Sequence, residues 1–181
     1  MLKRFFMRLT SVLVLTGLAV GALAQSPEYR LKAAFLLNFA KFTTWPEPEF
    51  SSQAQIGLCI VGDDPFGPEL GTIEAKKVQG RELTVRRNVK AEELKSCHIA
   101  FISDSEAPRL TQVLAVAGKS SVLSVSDLPN FCEAGGIIGL TTTGGRVQFD
   151  VNLQAAERAD LQLSPQMLKL AKTLLGAKVK L

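Results

Sequence analysis

Three cysteines, one histidine and a few loop acids are the residues with chemistry to offer. Cys59, Cys97 and Cys132 make no Cys-x-x-Cys pair, so a dithiol centre of that kind is not expected. Any Ser-His-Asp or Cys-His arrangement would have to use His98. His98 adjoins Cys97 at the start of an apolar run, and neighbouring strand residues point to opposite faces, which disfavours a Cys97–His98 dyad. A structural histidine is the simpler reading. Gly118-Lys119-Ser120 looks like the end of a phosphate-binding loop, but Val113 stands where the first glycine is needed. The expected elements are also in the wrong order, a helix before and a strand after. Gly62-Asp63-Asp64-Pro65-Phe66-Gly67 closes an apolar run, where open α/β sheets often bind ligands. Its two acids argue against a phosphate there. An amine, a cation or an arginine of the same chain such as Arg86 or Arg109 fits, and so does plain turn formation. No carboxylate pair is set up for general acid and base roles, and the cysteines and histidine show no metal-site spacing. These residues give no positive evidence for catalysis, and no catalytic residue, metal or cofactor is expected from them.

These residues sit in a chain of 181, with 46% hydrophobic residues and 21 basic against 17 acidic side chains. That composition is globular and too short for two full domains. Lys3, Arg4 and Arg8 precede an apolar run over 9–23 that ends in Ala22-Leu23-Ala24-Gln25. This reads as a secretory signal peptide over 1–24, cut after Ala24. The run is short for a membrane span of roughly 20 residues. Removing the signal leaves 21 − 3 = 18 basic against 17 acidic side chains, a charge of +1. That balance offers no nucleic-acid footprint. Export takes residues 25–181 out of the cytosol, away from cytosolic nucleotides and to where disulfides form.

The elements that must position these groups follow from pattern. Residues 28–42 are apolar nearly all round, with Phe35, Phe39 and Phe42 on one stripe, as in a buried helix. Trp45-Pro46 ends it. Strands are expected over 56–61, 83–87, 98–102 and 122–125, with helical segments over 68–75, 91–95 and 109–117 between them. That rhythm implies right-handed crossovers and a parallel sheet with helices on its faces. Residues 136–142 and 146–152 then read as a hairpin turning at Gly144-Gly145. The tail from 153 is helical in pattern, broken at Ser164-Pro165 and resumed as a final helix to 175. The expected fold is therefore α/β: a single three-layer Rossmann-like domain over 25–181, its mostly parallel sheet carrying a C-terminal antiparallel hairpin.

In a doubly wound sheet of flavodoxin-like order, the strands bearing Cys59 and following Cys97 are neighbours. Strand spacing is compatible with a disulfide, although Cys59 is mid-strand and Cys97 near a strand start. A bridge and two buried thiols both fit.

Assembled in order, the chain resembles the YfiR family of exported bacterial proteins. The resemblance rests on residues 32–42 (KAAFLLNFAKF) with Trp45-Pro46, on Gly62-Asp63-Asp64-Pro65-Phe66-Gly67, and on Gly80-Arg81-Glu82-Leu83. It continues through residues 97–103 (CHIAFIS), Gly135-Gly136-Ile137-Ile138 and residues 146–152 (RVQFDVN). It implies a non-enzymatic periplasmic protein that binds the periplasmic sensor domain of an inner-membrane diguanylate cyclase and holds it inactive. Release of that block raises cyclic di-GMP and favours biofilm formation. An outer-membrane lipoprotein that captures the inhibitor, a homodimer and sensitivity to redox state are also implied. Cys59 and Cys97 fall at the family's redox-linked disulfide. The family's second disulfide would use Cys132 and position 139, which is Gly here, so Cys132 lacks that partner.

On this reading a surface does the work. The candidate is the hairpin region with Phe131, Ile138, Phe149 and Asp150, since sheet edges and apolar patches invite partners. The plainer reading has Phe149 packing on the last helix. The alternatives are a small-molecule-binding protein using Asp63, Asp64 and Arg86 or Arg109, and an adaptor for another membrane receptor. A thiol oxidoreductase working through Cys59 is the weakest reading.

Overall fold

Three short apolar segments, Gln55–Val61, Ile99–Ile102 and Leu123–Ser126, lie at the centre of one sheet because their residues are buried on both of its faces. The structure, a computed structural model, describes residues 20–47 and 54–176. The expected signal sequence falls mostly on residues 1–19, outside the described ones. Helix α1 (Val20–Lys41) leads into a two-residue strand β1 (Thr43–Thr44). Then come β2 (Gln55–Val61), β3 (Lys77–Val78), β4 (Arg81–Val89) and β5 (Ile99–Ile102). Helix α2 (Leu110–Ala117), β6 (Leu123–Ser126), β7 (Ile138–Thr143) and β8 (Arg146–Asn152) follow. The chain closes with α3 (Leu153–Arg158), β9 (Gln162–Leu163), α4 (Pro165–Leu168) and β10 (Thr173–Leu175). Short 3-10 turns at Gly67–Thr72, Ala91–Ser96 and Asp104–Arg109 serve as crossovers.

The main sheet runs β3-β4-β2-β5-β6-β7-β8-β10. Its centre, β4-β2-β5-β6-β7, is parallel throughout and has the doubly wound order anticipated from the rhythm. β7 and β8 form the antiparallel hairpin, turning at Gly144 and Gly145, both at positive φ. Two consecutive left-handed residues match the twist of the strands they join, and glycine adopts them without steric cost.

The pleat sorts the core into two layers. Ile56, Leu58 and Ile60 of β2 face α1, with Ile99 and Phe101 of β5 and Leu123 and Val125 of β6. Ala33, Leu36, Phe39 and Ala40 of α1 meet them, joined by Ala155 and Ala156 of α3 and Met167 of α4. Cys59 and Val61 face the other way, with Ala100, Ile102, Leu94 and Val113 and Ala117 of α2. Helices on both faces of one sheet give the three expected layers.

The tail departs from expectation. Ser164 caps α4, its Oγ accepting the Gln166 N–H, and Pro165 opens the helix. The helix stops at Leu168, and β10 then pairs parallel with β8, Thr173 opposite Asp150. Lys172 N–H donates to the Phe149 carbonyl at 2.8 Å. The helical pattern over 169–175 yields to a sheet edge whose backbone groups lacked partners. No final helix reaches 175, so Phe149 packs instead on Phe35 and Phe39 of α1, with ring centroids 5.9 and 5.1 Å away. Residues 68–75 likewise form only a 3-10 turn, over Gly67–Thr72.

Candidate functional site

Three places bring the chemistry-bearing residues together: the cysteine bridge, the hairpin and the carboxyl end of the sheet.

Cys59 and Cys97 are bonded, with Cα atoms 5.9 Å apart. The Ala91–Ser96 turn carries the chain back across β2, so that Cys97 reaches the face on which Cys59 lies. His98 fastens that crossing. Its backbone N–H donates to the Gly57 carbonyl at 2.8 Å, and its Nδ1 accepts the Gly57 N–H at 3.0 Å. An accepting Nδ1 fixes the neutral ring with its proton on Nε2. Burial, with the nearby Arg81 charge, pushes the His98 pKa below its ordinary value. The Trp45 indole donates to the His98 carbonyl at 3.2 Å and meets its ring edge-on. His98 is thus a positioning group beside the bridge.

At the hairpin, Phe131, Ile138 and Phe149 are all buried. None of the three offers an exposed patch: Ile138 and Phe149 lie in the layer that α1 covers, and Phe131 lies in the opposite layer with α2, so they support the hairpin from within. An acid at Ile138 would break the core rather than probe a surface. Asp150 is half-buried, and its Oδ1 has no hydrogen-bond partner among the described residues. Cys132 is free and buried, with its sulfur 3.4 Å from the Asp150 carbonyl. Burial pushes its thiol up to about 12, so it carries no thiolate at neutral pH. A β-carbon at Gly139 would lie 3.4 Å from that sulfur.

At the carboxyl ends of β2, β4 and β5 lies an open crevice of about 640 Å³, lined by Gly62, Asp63, Lys90, Glu106, Arg109 and Gln112 among others. Gly62 has φ +81°, and a β-carbon there would fall 2.3 Å from Ser105 Oγ and 2.5 Å from Ser103 Oγ. The strand end therefore packs directly on the Ser103–Ser105 turn, and Asp63 N–H donates to Ser105 Oγ at 2.9 Å. Of the residues singled out in sequence, Asp63 and Arg109 meet here. Asp64 does not join them, being paired with Arg87 at 2.9 Å. Arg86 is held by Glu93 at 3.0 Å. Glu106 was missed in the sequence because its signal is burial: its side chain is 7% exposed, 2.7 Å from Arg109. Among the described residues no group of His, Cys, Asp and Glu could hold a metal ion.

A fourth cluster docks α1 on the same end of the sheet. Buried Lys32 reaches Asp127, just after β6, at 2.6 Å and also pairs with Glu28. The Tyr29 hydroxyl donates to Asp127 at 3.0 Å. Burial and the Asp127 carboxylate push that hydroxyl's pKa up. The Lys32 hydrogen bond holds the Glu28 carboxyl below the usual range.

A family model described as YfiR/HmsC-like matches residues 29–172. Among solved structures, the chain is similar to a conserved domain protein from Vibrio cholerae O1 biovar El Tor. The TM-score is 0.52 and the identity 12%, covering 81% of this chain and 60% of that one. It is also similar to an ABC domain from Streptococcus pneumonia in complex with L-Trp. There the TM-score is 0.51 and the identity 11%, covering 79% of this chain and 60% of that one. The chain thus spans about three-fifths of the length of both, and at such identities the likeness is one of fold.

Proposed function

The chain belongs to the YfiR/HmsC-like family, and from that premise we propose that it is an exported periplasmic regulator. It binds the periplasmic sensor domain of an inner-membrane diguanylate cyclase and holds the cyclase inactive. Cyclic di-GMP output and biofilm formation then follow its release. The observation that carries this reading is the family match over 29–172. The Cys59–Cys97 bridge, at the family's redox-linked position, supports it, since such bridges persist in oxidising compartments.

The protein acts by surface contact rather than turnover. Its β7–β8 hairpin is the docking element, with Asp150 at the rim and Phe131, Ile138 and Phe149 holding it in shape. A homodimer is the working unit, and an outer-membrane lipoprotein relieves the block by competing for it. The signal sequence is removed after Ala24. No helix among the described residues is long and apolar enough to cross a membrane.

The test is a crosslinked pull-down of tagged, exported protein from its native envelope, read by mass spectrometry. Capture of a membrane protein with a cyclase domain supports the reading. Capture of a different membrane receptor moves the protein to an adaptor role, and no capture above an untagged control removes the partner reading. The crevice beside Gly62 favours a second reading, a small-ligand-binding function.

A further inference from the structure

We propose that the crevice at the carboxyl ends of β2, β4 and β5 binds a small polar zwitterion, an amino acid with a polar side chain or a short peptide. This deepens the small-ligand reading and does not depend on the partner reading.

Position is the first argument. β2 and β5 are parallel neighbours at the point where the doubly wound order reverses. Crossovers leave such a pair toward opposite sides, which opens a crevice outside the strand ends, and open α/β sheets take ligands there.

The second argument is that the backbone is built for it. Gly62 leaves no room for a side chain against Ser103 and Ser105, and Asp63 is tied to Ser105. On the opposite wall Asn88 adopts a left-handed φ of 54°, where the pairing of β4 with β2 shifts register. Left-handed non-glycine residues and bulges collect at functional sites because the surrounding structure must hold them in place.

The third argument is charge. Glu106 is a buried acid at the crevice, and its partner Arg109 is 66% exposed and reaches outward. Arg109 keeps further donors beyond the one that serves Glu106. Asp63 is exposed, and its carboxylate has no partner among the described residues. Acids and bases thus line one opening: Asp63 and Glu106 suit an ammonium, while Arg109 and Lys90 suit a carboxylate. A phosphate or a dicarboxylate would meet the acids, and a polyamine would meet the bases. The lining holds no aromatic side chain, so an aromatic amino acid finds nothing to stack on. The volume lies within the range of ~300–1,000 Å³ usual for small-molecule sites.

The experiment is calorimetric titration of the mature, exported protein with L-glutamine, L-arginine and glycylglutamine, with L-tryptophan, spermidine and succinate alongside. We expect saturable binding of at least one polar zwitterion. That binding should be weakened about tenfold or more by Asp63→Asn, an exposed position, and by Arg109→Ala made together with Glu106→Gln, which leaves no buried carboxylate without its cation. Lys119→Ala, outside the crevice lining, should leave it unchanged. Absence of saturable binding by the three polar zwitterions up to about 10 mM would overturn the proposal. So would equal affinity in both variants, or tightest binding by tryptophan, spermidine or succinate. Zwitterion binding that survives alongside a failed pull-down would remove the cyclase partner and leave this site standing.

Discussion

Cys97 lies three residues ahead of Ala100, the residue that faces Cys59 across the sheet, yet its sulfur is bonded to Cys59. The bridge therefore ties the Ala91–Ser96 crossover down onto β2, rather than joining two strands rung to rung. It closes a separation of 38 residues, and both cysteines are buried.

Cutting it should cost about 4 kcal/mol in the chain-entropy account. Cys59→Ser should lower the urea midpoint by a corresponding amount and make it insensitive to reductant. Wild-type protein should resist reduction under native conditions and yield once unfolded. A wild-type midpoint unaffected by complete reduction would contradict this.

The closeness of position 139 to Cys132 makes a second prediction. Gly139→Cys should form a bridge to Cys132 during oxidative refolding, because a β-carbon there sits 3.4 Å from the Cys132 sulfur. Thiol titration in denaturant should find one free thiol in the wild type and none in the variant. A variant with two free thiols would contradict the placement.

Phe149 predicts a core penalty rather than a surface effect. Phe149→Ala removes a ring packed on Phe35 and Phe39 and should cost about 3–5 kcal/mol. Gln148→Ala, the exposed neighbour, should stay within about 0.5 kcal/mol of wild type. Chemical denaturation distinguishes the two, and equal effects would count against the packing.

Lys32 predicts an asymmetric pair. Lys32→Met should destabilise by about 3 kcal/mol, because it leaves Asp127 partly buried beside Tyr29 without its cation. The double variant Lys32→Met with Asp127→Leu should recover part of that loss. No recovery in a double-mutant cycle would show that the two do not act as a pair.

His98 sets a pH dependence. Its folded pKa lies below the ordinary 6.5 because of burial and the Arg81 charge. The unfolded chain therefore takes up this proton first as pH falls. The stability it contributes is full above about pH 6.5 and is lost as pH falls through the lower folded value. Urea unfolding at about pH 7.5 and 5.5 should show the drop, and His98→Gln should flatten it. A drop of the same size in the variant would assign it elsewhere.

What was legible in the sequence was what local pattern decides. The apolar runs around Ile60, Phe101 and Val125 are short and continuous, as strands buried on both faces must be, and their alternation with helical segments set the sheet order. Gly144-Gly145 announced the hairpin. The tail misled, because Leu170 and Leu174 stand at helical spacing while the unfilled edge of β8 decides the outcome from a distance. Phe149 carries no local sign that its partners are Phe35 and Phe39. In the crevice, Asp63 and Arg109 were readable as loop charges. Glu106 was not, since only the folded chain shows that it is buried.

The central claim is that this protein restrains a cyclase from the periplasmic side. The direct measurement is cellular cyclic di-GMP in the native host with the gene deleted and then restored. The account predicts a rise on deletion, reversed by the exported wild-type protein and not by a form lacking residues 1–24. Unchanged cyclic di-GMP on deletion, in cells where the pull-down partner is present, would contradict it.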